Sequence, residues 1–290
     1  MLLAAYSFDP FSLIWLFFLL ASVQPAIARQ VLLAQRRRAL AEISKEREVT
    51  AITLIHRQEQ LALLGFPLVR YIDIDDAESV LRAIRDTPSA RGIEIILHTP
   101  GGMVVAARQI ASALADHDGK VTAVVPHYAM SGGTLIALAA DEIVVEPHAA
   151  LGPVDPQLGQ YPAASLVKVA ERPGDHDDQT LLMADVGRKA IAQVEGFTRR
   201  LLERHMPNER AREAARTLAT GVFTHDHPLQ HPELSALGLP VRVGVPDLER
   251  DLITLYPQPH GRQPAVEYAP VPGPRPSLPQ RPNANRAPRP

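Results

Sequence analysis

Two stretches of the chain decide its fold: IEIILHTPGG at residues 93–102 and VTAVVPHYAMSGGT at residues 121–134. Each begins with a short run of mostly apolar residues and ends in a glycine-rich turn, after which apolar residues recur at helical spacing. Hydrophobic strands that alternate with helices are typical of a parallel sheet, because parallel strands need crossover connections. These stretches therefore predict an α/β fold with a parallel sheet and flanking helices.

The same alternation continues on both sides of these stretches. A loop-like region follows Pro147, and two amphipathic helices come after it, at residues 178–204 and 208–219. The other predicted strands are AITLI (51–55), VRYIDI (69–74) and EIVV (142–145), and the other predicted helices span 76–86, 103–115 and 134–140.

The ends of the chain differ from this middle part. Residues 11–28 carry no charge, which is about the minimum length for a membrane-spanning helix. Arginines follow this run and no basic residue precedes it, so the part of the chain after the run is expected in the cytoplasm. A cleaved signal peptide is the alternative, since Ala-Ile-Ala at residues 26–28 resembles a cleavage site. We predict a membrane anchor (1–28), a helical stalk (29–48), an α/β domain (49–256) and a Pro-rich disordered tail (257–290).

Composition excludes several classes of function. The 290 residues have a formal net charge of -2, which gives no electrostatic reason to expect a nucleic-acid partner. The absence of Cys excludes thiol nucleophiles, disulfides and zinc fingers. No phosphate-binding GxxxxGK[ST] or dinucleotide-binding GxGxxG pattern is present, so neither ATP nor a nicotinamide cofactor is indicated. We expect no cofactor and no metal.

The two glycine-rich turns carry the predicted chemistry. HTPGG and AMSGGT each follow a strand, so both lie at the carboxyl edge of the sheet, where α/β folds bind ligands. Ser131 occupies a strand-to-helix turn beside glycine amides, which suits a nucleophile next to an oxyanion pocket. The simpler alternative is that Ser131 only caps the following helix.

In these motifs the chain resembles the signal peptide peptidase A group of the Clp/crotonase superfamily and, more narrowly, the membrane-bound serine dehydrogenase proteinase family. The resemblance covers about residues 49–255. Its segments are LIHRQE (54–59), FPLVRYIDIDDAESVLRAIR (66–85), ILHTPGG (96–102), AMSGGT (129–134), AADEIVVEPHAALGPVDPQLG (139–159), PAASLVK (162–168) and LLMADVGRKAI (181–191).

The resemblance implies a serine endopeptidase with a Ser–Lys dyad, peptide or membrane-protein substrates and assembly into homo-oligomers. Ser131 would be the nucleophile, and Gly102 and Gly132 would supply the oxyanion-hole amides. Lys168, among apolar neighbours in SLVKV, is the expected base because burial lowers a lysine pKa, and Lys189 is its rival. The remaining alternatives for the base are three histidines, at positions 127, 148 and 176.

Other readings remain open at this point. The fold also suits crotonase-type acyl-CoA chemistry, or a membrane scaffold that has lost activity. Asp155, His56 and Glu59 match family segments but are expected to be structural. The histidines in THDHPLQH (224–231) are read as a loop that precedes a helix, not as metal ligands.

Overall fold

The computed structural model describes residues 10–56 and 71–256, and for residues 10–22 and 25 it describes the backbone alone. Residues 1–9, 57–70 and 257–290 lie outside the described residues; they include Glu59, the first two residues of the predicted strand at 69–74 and the predicted Pro-rich tail. The strands are β1 (Val49–Ile55), β2 (Gly92–His98), β3 (Val121–Val125), β4 (Tyr128–Ala129), β5 (Glu142–Val145), β6 (Ala150–Leu151), β7 (Gln157–Leu158), β8 (Tyr161–Pro162) and β9 (Val241–Val243). The helices are α1 (Pro10–Glu46), α2 (Ile74–Arg85), α3 (Val104–Ala115), α4 (Gly132–Ala137), α5 (Ala163–Ala170), α6 (Asp178–Leu202), α7 (Asn208–Ala219), α8 (His231–Ala236) and α9 (Asp247–Thr254).

The central sheet has five parallel strands in the order β1-β2-β3-β5-β9. β2 is buried along nearly its whole length because helices cover both faces of the sheet. One face packs against α3, α6 and α7, and the other against α9 and the last turns of α1. Since the strands are parallel, the residues that follow β2 and β3 lie at one edge. The predicted α/β class is confirmed.

One predicted strand is wrong where the structure describes it. Ile74 is the first residue of α2, and Ile72 makes only an isolated parallel bridge to Gly102. The Asp73 side chain accepts from the Asp76 amide while the Asp76 side chain accepts from the Asp73 amide. This capping box begins a helix at the point where the apolar spacing suggested extended chain.

The C-terminal part of α1 belongs to the folded body. Ile43 is fully buried against the sheet, in a cluster with Ile96, Val124 and Leu252. Arg36 donates to the Leu255 carbonyl at 2.8 Å, which ties α1 to the end of α9. The predicted membrane run at residues 11–28 falls within α1. No helix in the described part of the chain is sufficiently long and apolar to cross a membrane.

Candidate active site

The two predicted turns are joined by main-chain hydrogen bonds. The Thr99 amide donates to the Tyr128 carbonyl at 3.2 Å, and the Met130 amide donates to the Thr99 carbonyl at 2.9 Å. These bonds extend the pairing of β2 past its end and form a parallel bridge between Thr99 and Ala129. As a result, the residues just after Thr99 lie beside the residues just after Ala129.

Ser131 has an unusual backbone conformation, with φ 50° and ψ -113°. A non-glycine residue rarely has a positive φ. The strain costs of the order of 1–3 kcal/mol, so such a residue persists only where its surroundings hold it in place. Ser131 precedes α4, but its side chain makes no capping hydrogen bond. The reading of Ser131 as a simple side-chain cap is therefore wrong. Its side chain is partly exposed at the carboxyl edge of the sheet.

Thr134 holds the turn that carries Ser131. The fully buried Thr134 hydroxyl lies 2.8 Å from the Ala129 carbonyl and 2.9 Å from the Gly152 carbonyl, and it accepts from the Gly152 amide at 3.1 Å. The Gly133 amide donates to the Met130 carbonyl at 2.8 Å. The strained residue is thus enclosed between two anchored positions, which is how positive φ persists at a non-glycine residue.

The HTPGG turn approaches Ser131 closely because it has glycines. A Cβ on Gly101, which has φ 104°, would lie 2.8 Å from Ser131 Cβ and 3.1 Å from the Gly132 nitrogen. A Cβ on Gly102 would lie 2.3 Å from both the nitrogen and the oxygen of Ile72. Only glycine fits at either position, which explains the motif.

The amides of Gly102 and Gly132 lie next to the close approach of the HTPGG turn to Ser131. The Cβ position that Gly132 lacks is 3.5 Å from the Gly102 nitrogen. Within residues 10–56 and 71–256, neither amide donates a hydrogen bond to another group. Gly132 is also the first residue of α4, where the N–H groups have no intrahelical acceptor. The structure brings together three predicted site residues: Ser131, Gly102 and Gly132.

Lys168 is not part of this contact. It lies on α5 with an exposed side chain, so the predicted burial of its amine is wrong for the single chain. The reason is helical geometry: successive residues point about 100° apart, and it is Val167 that contacts α6 at Gly187. Lys189 is also exposed and forms an ion pair with Asp185, at 2.5 Å, within α6.

The histidines that stayed open as alternative bases occupy other places. His127 and His148 line a cavity of about 630 Å³ near the end of β5. His176 is near the start of α6, where its ring Nε2 is 2.9 Å from the Arg172 carbonyl. His225, which the sequence predicts to lie in a loop, has its ring Nδ1 2.8 Å from the buried carboxylate of Asp155.

A second histidine–carboxylate pair borders the HTPGG turn. The buried ring of His56 lies 3.0 Å from the Asp76 carboxylate through Nε2 and 3.0 Å from the Thr99 hydroxyl through Nδ1. Burial works to raise the pKa of Asp76, but hydrogen bonds from His56 and from the Asp73 amide outweigh it, so the pKa is lowered. The sequence predicted only a structural role for His56. Its partners Asp76 and Thr99 lie far from it in the sequence, so no local pattern indicated this cluster.

The strained Ser131 and the amides of Gly102 and Gly132 lie together at the carboxyl edge of a parallel sheet, an arrangement that suits nucleophilic attack on a carbonyl group. The chain belongs to the family of ClpP-like SDH-type serine proteinases, whose model matches residues 6–283.

Two relatives from one organism span most of the chain, and a third spans about half of it. It is 47% identical over 259 residues to the uncharacterized protein MJ1495 of Methanocaldococcus jannaschii, covering 89% of each chain. It is 48% identical to MJ0137 of the same organism, covering 89% of this chain and 91% of that protein. It is 28% identical to the membrane protein NfeD1b of Bacillus subtilis, over 48% of this chain and 30% of that protein. A solved structure, a mutant of the 1510-N membrane-bound stomatin-specific protease, matches with 20% identity and a TM-score of 0.42, covering 64% of this chain and 79% of that chain.

Proposed function

We propose that this protein is a membrane-anchored serine endopeptidase in which Ser131 is the nucleophile. The observation that carries the proposal is the conformation of Ser131: a positive-φ serine whose side chain makes no capping hydrogen bond and lies against the HTPGG turn. A fold that only needed a helix cap there would not require this strain. Membership of a serine proteinase family supports the same reaction class.

In the proposed reaction the Ser131 oxygen attacks the carbonyl carbon of a peptide bond. The carbonyl oxygen becomes an oxyanion that accepts hydrogen bonds from the amides of Gly102 and Gly132. The N-terminus of α4 adds a favourable field for this negative charge. A general base takes the hydroxyl proton and returns it to the leaving amine, and water then hydrolyses the acyl-enzyme by the same route. This chemistry uses no cofactor.

For the base we propose Lys168, acting in an assembly of several copies of the chain. A lysine accepts a proton only when it is neutral, and an ammonium in open solvent stays charged at neutral pH. The surface around Lys168 has apolar character that a second copy would cover: Val169 on α5, and Leu182 and Val186 on α6, are exposed. Such an interface would remove water from the amine.

We further propose that residues 11–28 attach the protein to a membrane, with the catalytic domain on the cytoplasmic side. The support is the uncharged run and the arginines that follow it. A relative that is named a membrane protein agrees with this location. Membrane attachment favours peptides or membrane proteins as substrates.

Fluorophosphonate labelling of the detergent-solubilised full-length chain tests the nucleophile. We expect wild type to be labelled on Ser131 and to cleave casein, and we expect Ser131→Ala to do neither while keeping its circular dichroism spectrum. Ser165→Ala, which removes an exposed serine of α5, is the matched control and should behave as wild type. Equal casein cleavage by wild type and Ser131→Ala would exclude this nucleophile. Acyl-CoA binding without labelling would instead favour crotonase-type chemistry. If wild type and Ser131→Ala were both inactive, the result would favour a scaffold.

A further inference from the structure

His56 connects the two segments that hold the Gly102 amide. On one side the ring reaches Thr99, whose hydroxyl accepts from the Gly101 amide at 3.1 Å. On the other side it reaches Asp76, whose carboxylate also accepts from the Asp73 amide at the start of α2. His56 itself is fixed at the end of β1, where its amide donates to the His98 carbonyl at 2.7 Å.

Both of these segments grip the peptide units around Gly102. The residue before α2, Ile72, donates its amide to the Gly101 carbonyl at 2.8 Å and accepts from the Met103 amide at 2.8 Å. Thr99 fixes the amide of Gly101 through its side chain. The orientation of the Gly102 N–H is therefore set by neighbours that His56 holds at a fixed separation.

The hydrogen bonds of this cluster have one consistent direction. The lowered pKa of Asp76 keeps its carboxylate ionised at neutral pH, so it can only accept, and His56 Nε2 must carry the hydrogen. In the neutral ring Nδ1 is then an acceptor, and the Thr99 hydroxyl donates to it at 3.0 Å. The alternative acceptor for that hydroxyl, the Gly101 carbonyl, is farther away at 3.5 Å. The Thr99 oxygen remains free to accept from the Gly101 amide.

We propose that His56, oriented by Asp76 and acting through Thr99, is a positioning residue that aims the Gly102 amide at the oxyanion. This inference rests on the proposed function of Ser131 and Gly102. His56 does not serve as the base in this arrangement, because both ring nitrogens are occupied by Asp76 and Thr99. Its contribution is to the transition state, since the oxyanion forms only there.

The test compares substitutions at Thr99 in the full-length detergent-solubilised protein, using a fluorogenic peptide. Thr99→Val removes the hydroxyl at nearly constant volume, and we expect kcat to fall about tenfold to a hundredfold while KM changes less than threefold. Thr99→Ser keeps the hydroxyl and should recover most of kcat. Thr87→Val is the matched control, because Thr87 is a buried threonine just after α2 whose hydroxyl donates to the Ala83 carbonyl at 2.8 Å.

A second variant covers the case in which Thr99→Val does not fold. His56→Asn retains an acceptor for the Thr99 hydroxyl, so its kcat should lie between those of wild type and His56→Ala. Affinity for a peptide aldehyde, which forms the oxyanion, should fall with kcat, whereas affinity for the uncleaved substrate should not. Unchanged kcat in both Thr99→Val and His56→Ala would overturn the positioning role while leaving Ser131 as nucleophile. Wild type without Ser131-dependent turnover would overturn both proposals.

Discussion

A pair of buried carboxyl groups should make the stability of this protein fall as pH rises above neutrality. Glu94 on β2 and Glu249 on α9 are 5% and 0% exposed, on the face of the sheet that α1 and α9 cover. Arg47, at the end of α1, lies 2.7 Å from Glu249 and 3.7 Å from Glu94. One guanidinium thus faces two carboxyl groups. Each of those groups has one oxygen without a partner among the described residues.

The pKa of Glu94 shows how the repulsion between the two carboxyl groups is relieved. Burial, a hydrogen bond with Glu249 and repulsion from its charge together raise the pKa of Glu94 to about 8, although Arg47 and Arg242 act to lower it. At neutral pH Glu94 therefore keeps a proton, which it donates in its hydrogen bond with Glu249.

The sign and size of the effect follow from proton linkage. Between pH 4.5 and about 8 the folded protein holds a proton on Glu94 that the unfolded chain has lost, so the contribution to stability declines as pH rises through this range. Integrated from pH 7 to 9.5, the loss is about 1.4 kcal/mol. For a domain of this size that corresponds to a decrease of roughly 3–6 °C in Tm.

Thermal unfolding of the full-length detergent-solubilised protein, followed by circular dichroism at pH 7 and 9.5, measures this loss. Glu94→Gln carries a permanent donor in place of the protonated carboxyl, so its decrease in Tm should be smaller than that of wild type by about the amount above. Glu78→Gln, which changes an exposed carboxyl on α2, should follow wild type at both pH values. The same Tm decrease in wild type and Glu94→Gln would refute the shared-proton account.

Three further substitutions address the candidate site and its proposed base. Gly102→Ala places a methyl group 2.3 Å from the Ile72 backbone, so the turn must move, and we expect peptidase activity to fall at least a hundredfold in a fluorogenic peptide assay while the circular dichroism spectrum is retained. Lys168→Met should abolish turnover without lowering Tm. Lys189→Met removes only the exposed ion pair with Asp185 and should keep kcat within about twofold of wild type. If both lysine variants turned over the peptide equally fast, Lys168 would be excluded as the base.

Local sequence signals predicted much of the sheet and the two turns. The strands ending at His98 and Val125 were evident from hydrophobicity, since parallel strands buried on both faces leave little room for polar residues. The glycines at 101 and 102 were equally readable, because only glycine tolerates backbone approach as close as that of Ile72.

Features that depend on contacts between distant segments were not predictable in the same way. The exposure of Lys168 depends on which face of α5 packs against α6, and apolar neighbours in sequence do not reveal it. The contact between His56 and Thr99 joins residues 43 positions apart. β9 has only three residues, which is too short for a periodic pattern, and yet it completes the sheet.

The burial of the last turns of α1 has a practical consequence for handling this protein. Ile43 fills space between β2 and α9, and Arg47 provides the positive charge nearest to the two inner glutamates. A fragment cut at the start of β1 would open a hydrophobic hole next to β2 and leave Glu94 and Glu249 without Arg47. The last turns of α1 are thus part of the folded body, and they need to be kept in any shortened version of the chain.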